Sequence, residues 1–430
     1  MNDQFEILFD SARAQQLLEQ MYGSEERERQ IDRYRRCMEG FSAQYGKTES
    51  LKYFSAPGRT EIGGNHTDHN NGKVLAASIQ LDTIAAAAAV DVGVISVISE
   101  GYPGMSVIKL DDLEPQAGES GTAALIRGIA HGFRQHGYRI GGFHAYVSSN
   151  VLPASGLSSS ASFEVLICQI LNTFYNNGEM DAVMMSRIGK YAENLYWNKP
   201  SGMLDQMACS HGGLITIDFK EPAEPQVERI PGTFEAAGYS LVIVSTGGNH
   251  ADLTEDYASI PNEMRAVAHA FGVEVCRDLT AEMIYGRLAE LRGTAGDRAV
   301  LRALHYLDEN DRVGRQVEAI KAGEWQNVLK DITASGNSSW KWLQNIYQES
   351  VSREQGIALT LAITERFIVR LGDGACRVHG GGFAGVILAV LPHTAVAEYR
   401  ELIGRTTGTE LFTIRVREIG AVCLNTLLQA

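Results

Sequence analysis

Three short stretches of this chain carry residue types that could work together on a phosphate and a polyol. The first, Pro153-Ala154-Ser155-Gly156-Leu157-Ser158-Ser159-Ser160-Ala161, is a run of small residues between a predicted strand and a predicted helix. Small residues let the backbone approach a ligand closely, and successive N–H groups at a helix start form an anion cradle. The serine hydroxyls add donors for phosphate oxygens, or one oxygen ligand for Mg2+. A plainer reading is a serine-rich N-cap on an ordinary helix. The pattern GxxxxGK[ST] is absent from the run, so this is not a Walker loop. The second stretch, running from Ala56 to His69, places Arg59, His66 and Asp68 in a Gly-punctuated loop. Such groups can bind vicinal hydroxyls, because one carboxylate accepts two hydrogen bonds; a pair of Asx turns is the alternative. The third, Gly380-Gly381-Gly382, permits backbone angles that other residues avoid and could fold over a site. Two acids, Glu193 and Asp205, follow the serine run and could hold a cation and orient a hydroxyl.

These residues need a scaffold of some size. The chain has 430 residues, 44% hydrophobic and 21% charged, an ordinary globular balance long enough for two domains. A formal charge of −14 and a pI near 5.3 argue against a nucleic-acid partner. The N-terminus shows no signal-peptide pattern and no run reads as a membrane span, so a cytoplasmic protein without a membrane partner is expected. The six cysteines are scattered without CxxC pairing, which suits reduced, structural thiols.

Helices are expected over Ser11–Met21 and Ser24–Phe41, within a helical extension spanning 1–50. Gly-rich turns and β-like runs begin at Lys52. Ile79–Ser99 reads as two strands despite Ala85–Ala89, because Thr83, Ile84 and Val90 are β-branched. A strand at Phe143–Ser149 and helices at Ala161–Tyr175 and Ala182–Tyr196 follow. Lys220–Thr233, rich in proline and charge, reads as a linker or crossover. Later come a strand at Tyr239–Ser245 and helices at Ile260–Phe271, Ala299–Ala322, Trp325–Glu349 and Gln355–Leu371. A strand at Gly385–Leu391, a helix at Thr394–Ile403 and two strands within Leu411–Leu424 close the chain. Without a regular βαβ beat, the order favours an α+β fold.

The serine run resembles the ATP-phosphate loop of the GHMP kinases, with Ala154 where that loop usually has glycine. Ala56-Pro57-Gly58-Arg59-Thr60-Glu61-Ile62-Gly63-Gly64-Asn65-His66-Thr67-Asp68-His69, continued by Asn71-Gly72, resembles the galactokinase signature. Asn65 replaces a usual Glu there, and His69 a usual Tyr. Arg377-Val378-His379-Gly380-Gly381-Gly382-Phe383-Ala384-Gly385 resembles the C-terminal motif of the same kinases, and Gly202-Met203-Leu204-Asp205-Gln206 their GxMDQ segment. The resemblance implies two domains, 51–220 and 221–430, with the active site in the cleft between them. It further implies a monomer that takes a small-molecule sugar and ATP, phosphorylating the C1 hydroxyl of galactose.

Carried over, it makes Asp205 and Arg59 catalytic, and Arg59, Asn65, His66, Asp68, Gly202, Asp205 and Tyr257 sugar contacts. Ser155, Gly156, Leu157, Ser158, Ser159, Ser160 and Ala161 would bind ATP, and Ser160 with Glu193 would bind Mg2+. His250 and His379 receive no role. The neutral Asn65 opens an alternative, a C6-modified sugar such as galacturonate. A silent sugar and ATP sensor is a second alternative, although the retained serines and acids favour an enzyme. A homoserine or mevalonate kinase fits the His66-Thr67-Asp68-His69 segment poorly.

Overall fold

The computed structural model describes residues 2–151, 156–199, 201–247, 253–351 and 353–429. The chain opens with three helices, α1 (Asn2–Phe9), α2 (Ala12–Tyr22) and α3 (Arg27–Tyr45). Strands β1 (Lys52–Gly63), β2 (Lys73–Val90), β3 (Val94–Ser99) and β4 (Ser106–Lys109) follow, then α4 (Gly121–Gln135) and β5 (Gly142–Ser149). Next come α5 (Ser159–Tyr175), α6 (Ala182–Leu195), α7 (Leu204–His211), β6 (Leu214–Asp218), β7 (Gln226–Arg229) and β8 (Tyr239–Ser245). The helical stretch holds α8 (Thr254–Ala270), α9 (Ala281–Gly286), α10 (Leu288–Thr294), α11 (Asp297–Lys321), α12 (Trp325–Ser338) and α13 (Gly356–Leu371). The chain ends with β9 (Ala375–His379), β10 (Val386–Pro392), α14 (Val396–Thr406), β11 (Leu411–Ile414), β12 (Val422–Cys423) and α15 (Leu424–Gln429).

The strands form two sheets, so the α+β expectation holds. The larger runs β12-β1-β2-β5-β3-β4, with β6 paired to the first half of β2 and β7 to β6; only β3 and β5 lie parallel. The smaller is antiparallel, β11-β8-β10-β9. The chain's last strand thus pairs with its first.

The alanine run in β2 is a strand because both its faces are covered. Ala85 and Ala87 pack with α4, α5 and α6, whereas Ile84, Ala86 and Ala88 pack beneath the aromatic side of α1–α3. Period-two alternation sends successive side chains to opposite faces, and small methyls let two helical layers approach. The N-terminal extension is therefore a wall of the core, with Phe5, Phe9, Tyr34 and Phe41 buried against β1 and β2. Removing such a side chain from water contributes about 1.5–3 kcal/mol. All six cysteines are buried and unpaired.

Several expected elements shift. The Gly-punctuated segment from Ala56 is β1 as far as Gly63, not a loop. Every β1 residue after Lys52 is buried, and its register against β2 slips between Pro57 and Arg59 and between Glu61 and Gly63. Such irregularities bend a strand and re-aim its side chains. The helix expected over Trp325–Glu349 ends at Ser338 and continues only as a short π-turn, Ser339–Leu343. The expected linker at Lys220–Thr233 contains β7. Elements not foreseen include α1, β4, α4, α7, β6, α9, α10, β9 and α15.

Candidate functional site

Arg59 sits between the two register slips of β1, 6% exposed, and its Nε donates to Asp205 Oδ1 at 2.7 Å. One terminal nitrogen of the same guanidinium donates to the Gly156 carbonyl. Asp205 stands in the first turn of α7, and its other oxygen accepts from Ser158 Oγ at 2.5 Å. Burial alone would raise the Asp205 carboxyl, but Arg59 and the Ser158 hydroxyl bring it below its ordinary value, so it is ionised at neutral pH.

Ser158 precedes α5 in the left-handed region, at φ 61, and its hydroxyl does not cap the helix. The N-cap alternative does not hold for Ser158: its hydroxyl serves Asp205, and among the described residues no side chain takes the first-turn amides of α5. Gly156 is also left-handed, at φ 69, and a Cβ there would meet Val386 at 2.9 Å and the His379 ring at 3.0 Å. Leu157 and Ala161 turn their side chains into the core, so only their backbone faces a ligand. Pro153, Ala154 and Ser155 lie outside the described residues, as does His250.

Ser160 Oγ lies 2.9 Å from Glu193 Oε1, which is 2% exposed at the C-terminal end of α6. Lys199 Nζ stands 2.5 Å from the same carboxylate oxygen and 3.2 Å from Ser160 Oγ. Ser201 and Gln206 donate to Oε2 at 2.6 and 3.1 Å. The Gln206 amide also reaches Glu164 Oε2 at 2.8 Å. Burial and the neighbouring Glu193 push the Glu164 carboxyl well up, so it is neutral. Among the described residues no three His, Cys, Asp or Glu groups cluster as a metal site. Two hard oxygens sharing a bound ammonium do fit Mg2+, which takes few protein ligands and completes its shell with water and phosphate.

On the opposite wall, His66 Nε2 donates to the Gly381 carbonyl at 3.0 Å. Burial, then the charge of His69, lowers His66 to about 4, so it is neutral. Asp68 packs so closely on Gly202 that a Cβ there would fall 1.7 Å from Oδ2. Tyr257, on α8, donates to the Gly382 carbonyl at 3.3 Å. Asn65 is fully buried, with its amide nitrogen bonded to Glu61 and the Gly380 carbonyl and its oxygen to Ser339 and Asn345. His379 Nε2 accepts the Glu61 backbone N–H at 3.2 Å and contacts Thr60, an ordinary hydrogen-bonded histidine.

Arg59, Glu61, Asn65, His66, Asp68, Gly156, Ser158, Ser159, Ser160, Lys199, Ser201, Gly202, Asp205, Tyr257, Gly380 and Gly381 line one cleft of about 730 Å³. Lysine and arginine, as Arg187, Lys190, Lys199 and Arg265, also line it, a local positive field in an acidic chain. Sequence reading did not assign Glu61, Lys199, Ser201 or Gln206. Glu61 and Gln206 stood inside quoted motifs without a role, while Lys199 and Ser201 lie in an unpatterned loop.

Residues 39–89 match the model described as the galactokinase galactose-binding signature, and residues 113–213 that of the GHMP kinases N terminal domain. The galactokinase of Lactococcus lactis subsp. lactis is 28% identical over 85% of this chain and 90% of its own. That of Mannheimia succiniciproducens is 29% identical over 84% and 91%. In fold, the chain is similar to the Lactococcus lactis galactokinase complexed with galactose, with a TM-score of 0.78, 24% identity and coverage of 90% and 99%. The Methanococcus jannaschii mevalonate kinase shares the fold with a TM-score of 0.59, 15% identity and coverage of 86% and 99%.

Proposed function

We propose that the chain is a galactokinase-like sugar kinase of the GHMP kinase superfamily, which its comparisons support, and that it phosphorylates the anomeric C1 hydroxyl of a galacto-configured sugar, D-galactose first. The observation that carries this reading is the meeting of Arg59, Ser158 and Asp205 beside Ser160 and Glu193 in one cleft. GHMP kinases take ATP as phosphate donor. Its phosphates lie along the serine loop and the uncapped start of α5, where amides and hydroxyls converge. Ser160 and Glu193 would hold Mg2+, which when bound would offset charge on the phosphates. Lys199, half-exposed and ion-paired with Glu193, would then give up that oxygen and turn toward the phosphates.

Asp68, His66, Gly202 and Tyr257 hold the sugar, and Asp205 orients the C1 hydroxyl toward the γ-phosphate. A carboxylate held below its ordinary value is a weak base in the ground state. Asp205 therefore aligns the hydroxyl and takes its proton late, as phosphoryl bonding develops. Arg59, fixed by Asp205 and the Gly156 carbonyl, lies where negative charge accumulates. The protein works as a cytosolic monomer in this reading.

The test is ADP release from ATP across a panel of aldoses, with the product's phosphate located by NMR. Galactose is expected to be turned over and Asp205→Asn to abolish most of it. A wild-type protein that releases no ADP with any galacto-configured sugar sinks the proposal.

A further inference from the structure

Of the carboxylates lining the cleft, Asp205 has both oxygens engaged by Arg59 and Ser158. Glu61 is different. Its Oε1 accepts from Arg377 at 2.6 Å and from Asn65 at 3.1 Å, while Oε2 makes no hydrogen bond among the described residues. Glu61 is 6% exposed and lines the cleft, so its small exposed surface faces the ligand space. Asn65, by contrast, has no capacity left. Its side-chain nitrogen and oxygen each hold two partners, its backbone N–H goes to Glu309 and its carbonyl to His305.

A buried side chain bonded on every side is a frame, and a carboxylate with one oxygen toward a cleft is a reader. Burial raises the Glu61 carboxyl above its ordinary value, while the fully buried Arg377, its ion-pair partner, works toward the anion. Glu61 shares its wall of the cleft with Arg59, His66 and Asp68, which puts it on the sugar side.

We propose that Glu61, held by Asn65 and Arg377, is the specificity-determining carboxylate of the sugar site, its Oε2 accepting the C6 hydroxyl of the substrate. This rests on the galacto-sugar reading above. It commits the site to a hydroxyl at C6 and disfavours a uronic acid, whose carboxylate oxygens would meet the acceptor Oε2 of Glu61. A site built to hydrogen-bond a hydroxyl discriminates strongly against an analogue without one.

The experiment compares kcat/KM for D-galactose, 6-deoxy-D-galactose and D-galacturonate in the wild type, Glu61→Gln and Glu61→Asp. Glu61→Asp keeps the charge beside Arg377 while withdrawing the carboxylate by one methylene, and so guards against a Gln variant that fails to fold. The wild type is expected to prefer galactose to both analogues by about 100-fold or more. Each variant should lose about 10- to 100-fold with galactose, mostly in KM, and change little with the 6-deoxy sugar. Equal losses with galactose and 6-deoxygalactose, or no loss with either, overturn the role of Glu61. Wild-type turnover of galacturonate at the galactose rate also overturns it, while leaving a sugar kinase in place. A wild type inert toward all three sugars sinks the galacto-sugar reading and takes this inference with it.

Discussion

Single side chains in this cleft are placed by partners that also set their charge, which makes their substitutions easy to distinguish. Asp205→Asn keeps the shape but removes the anion that Arg59 and Ser158 serve. kcat should fall about 10²–10⁴-fold with the nucleotide KM little changed, as steady-state kinetics would show. Because Arg59 and Ser158 lower the Asp205 carboxyl, its protonation lies below the usual carboxylate range. The group stays charged from neutral pH down through pH 5, so a wild-type acid limb centred near pH 6 would contradict its assignment. Glu164 behaves oppositely. Burial and Glu193 hold it neutral, so Glu164→Gln should cost under about 1 kcal/mol in denaturant unfolding, against about 2–3 for Glu164→Ala with its cavity. Equal costs for the two would mean the carboxyl is charged.

Elements carry these side chains, and how legible each element was depended on whether its cause is local. The serine loop could be read because small residues before a helix are a local pattern, and Asp205 because the short segment Gly202–Gln206 resembles a kinase motif. The two strands in Ile79–Ser99 were legible through β-branched flanks. Helix α4 was not, because Gly128 in its interior opposes helix formation. Only the packed structure supplies the reason: a Cβ at Gly128 would lie 2.8 Å from the Ala192 and Tyr196 side chains. The second half of β1 hid likewise between Gly58 and Gly63, and the pairing of Glu61 with Arg377 joins strands over 300 residues apart. Close approach also governs Gly202, whose neighbour Asp68 sits where a Cβ would go. Gly202→Ala must displace that carboxylate, a flexible side chain rather than backbone. The fold should survive by circular dichroism while KM for the sugar rises about tenfold or more, roughly 1.4 kcal/mol of lost binding. An unchanged sugar KM would remove Asp68 from the sugar wall.

Across the whole molecule, buried charges tie remote segments together, and pH can interrogate those ties. Asp82 on β2 accepts from Arg33 of α3 at 2.5 Å, from Arg417 at 3.0 Å and from Tyr22 of α2 at 2.6 Å, joining both ends of the chain to the larger sheet. Asp82→Ala leaves two buried guanidinium groups without their carboxylate, a loss on the order of 3–5 kcal/mol. Glu309 on α11 plays the corresponding part at the sugar wall, accepting the Gly64 amide at 3.1 Å and the Ser335 hydroxyl at 2.6 Å beside Arg312. Burial would raise this carboxyl, but His305, Arg312, Arg377 and the Ser335 hydroxyl outweigh it and bring it to about 2. A folded value below the unfolded one means stability that is fully present above about pH 4.5 and drains away as pH falls toward 2. The drop corresponds to about 3 kcal/mol for this group alone. Other carboxylates titrate in the same window, so the informative quantity is the difference between wild type and Glu309→Gln. Urea unfolding at steps between pH 6 and pH 2.5 should show the wild type's advantage shrinking by about 2–3 kcal/mol on the acid side. Parallel curves for the two proteins would mean that Glu309 does not hold the turn at Gly64 by its charge.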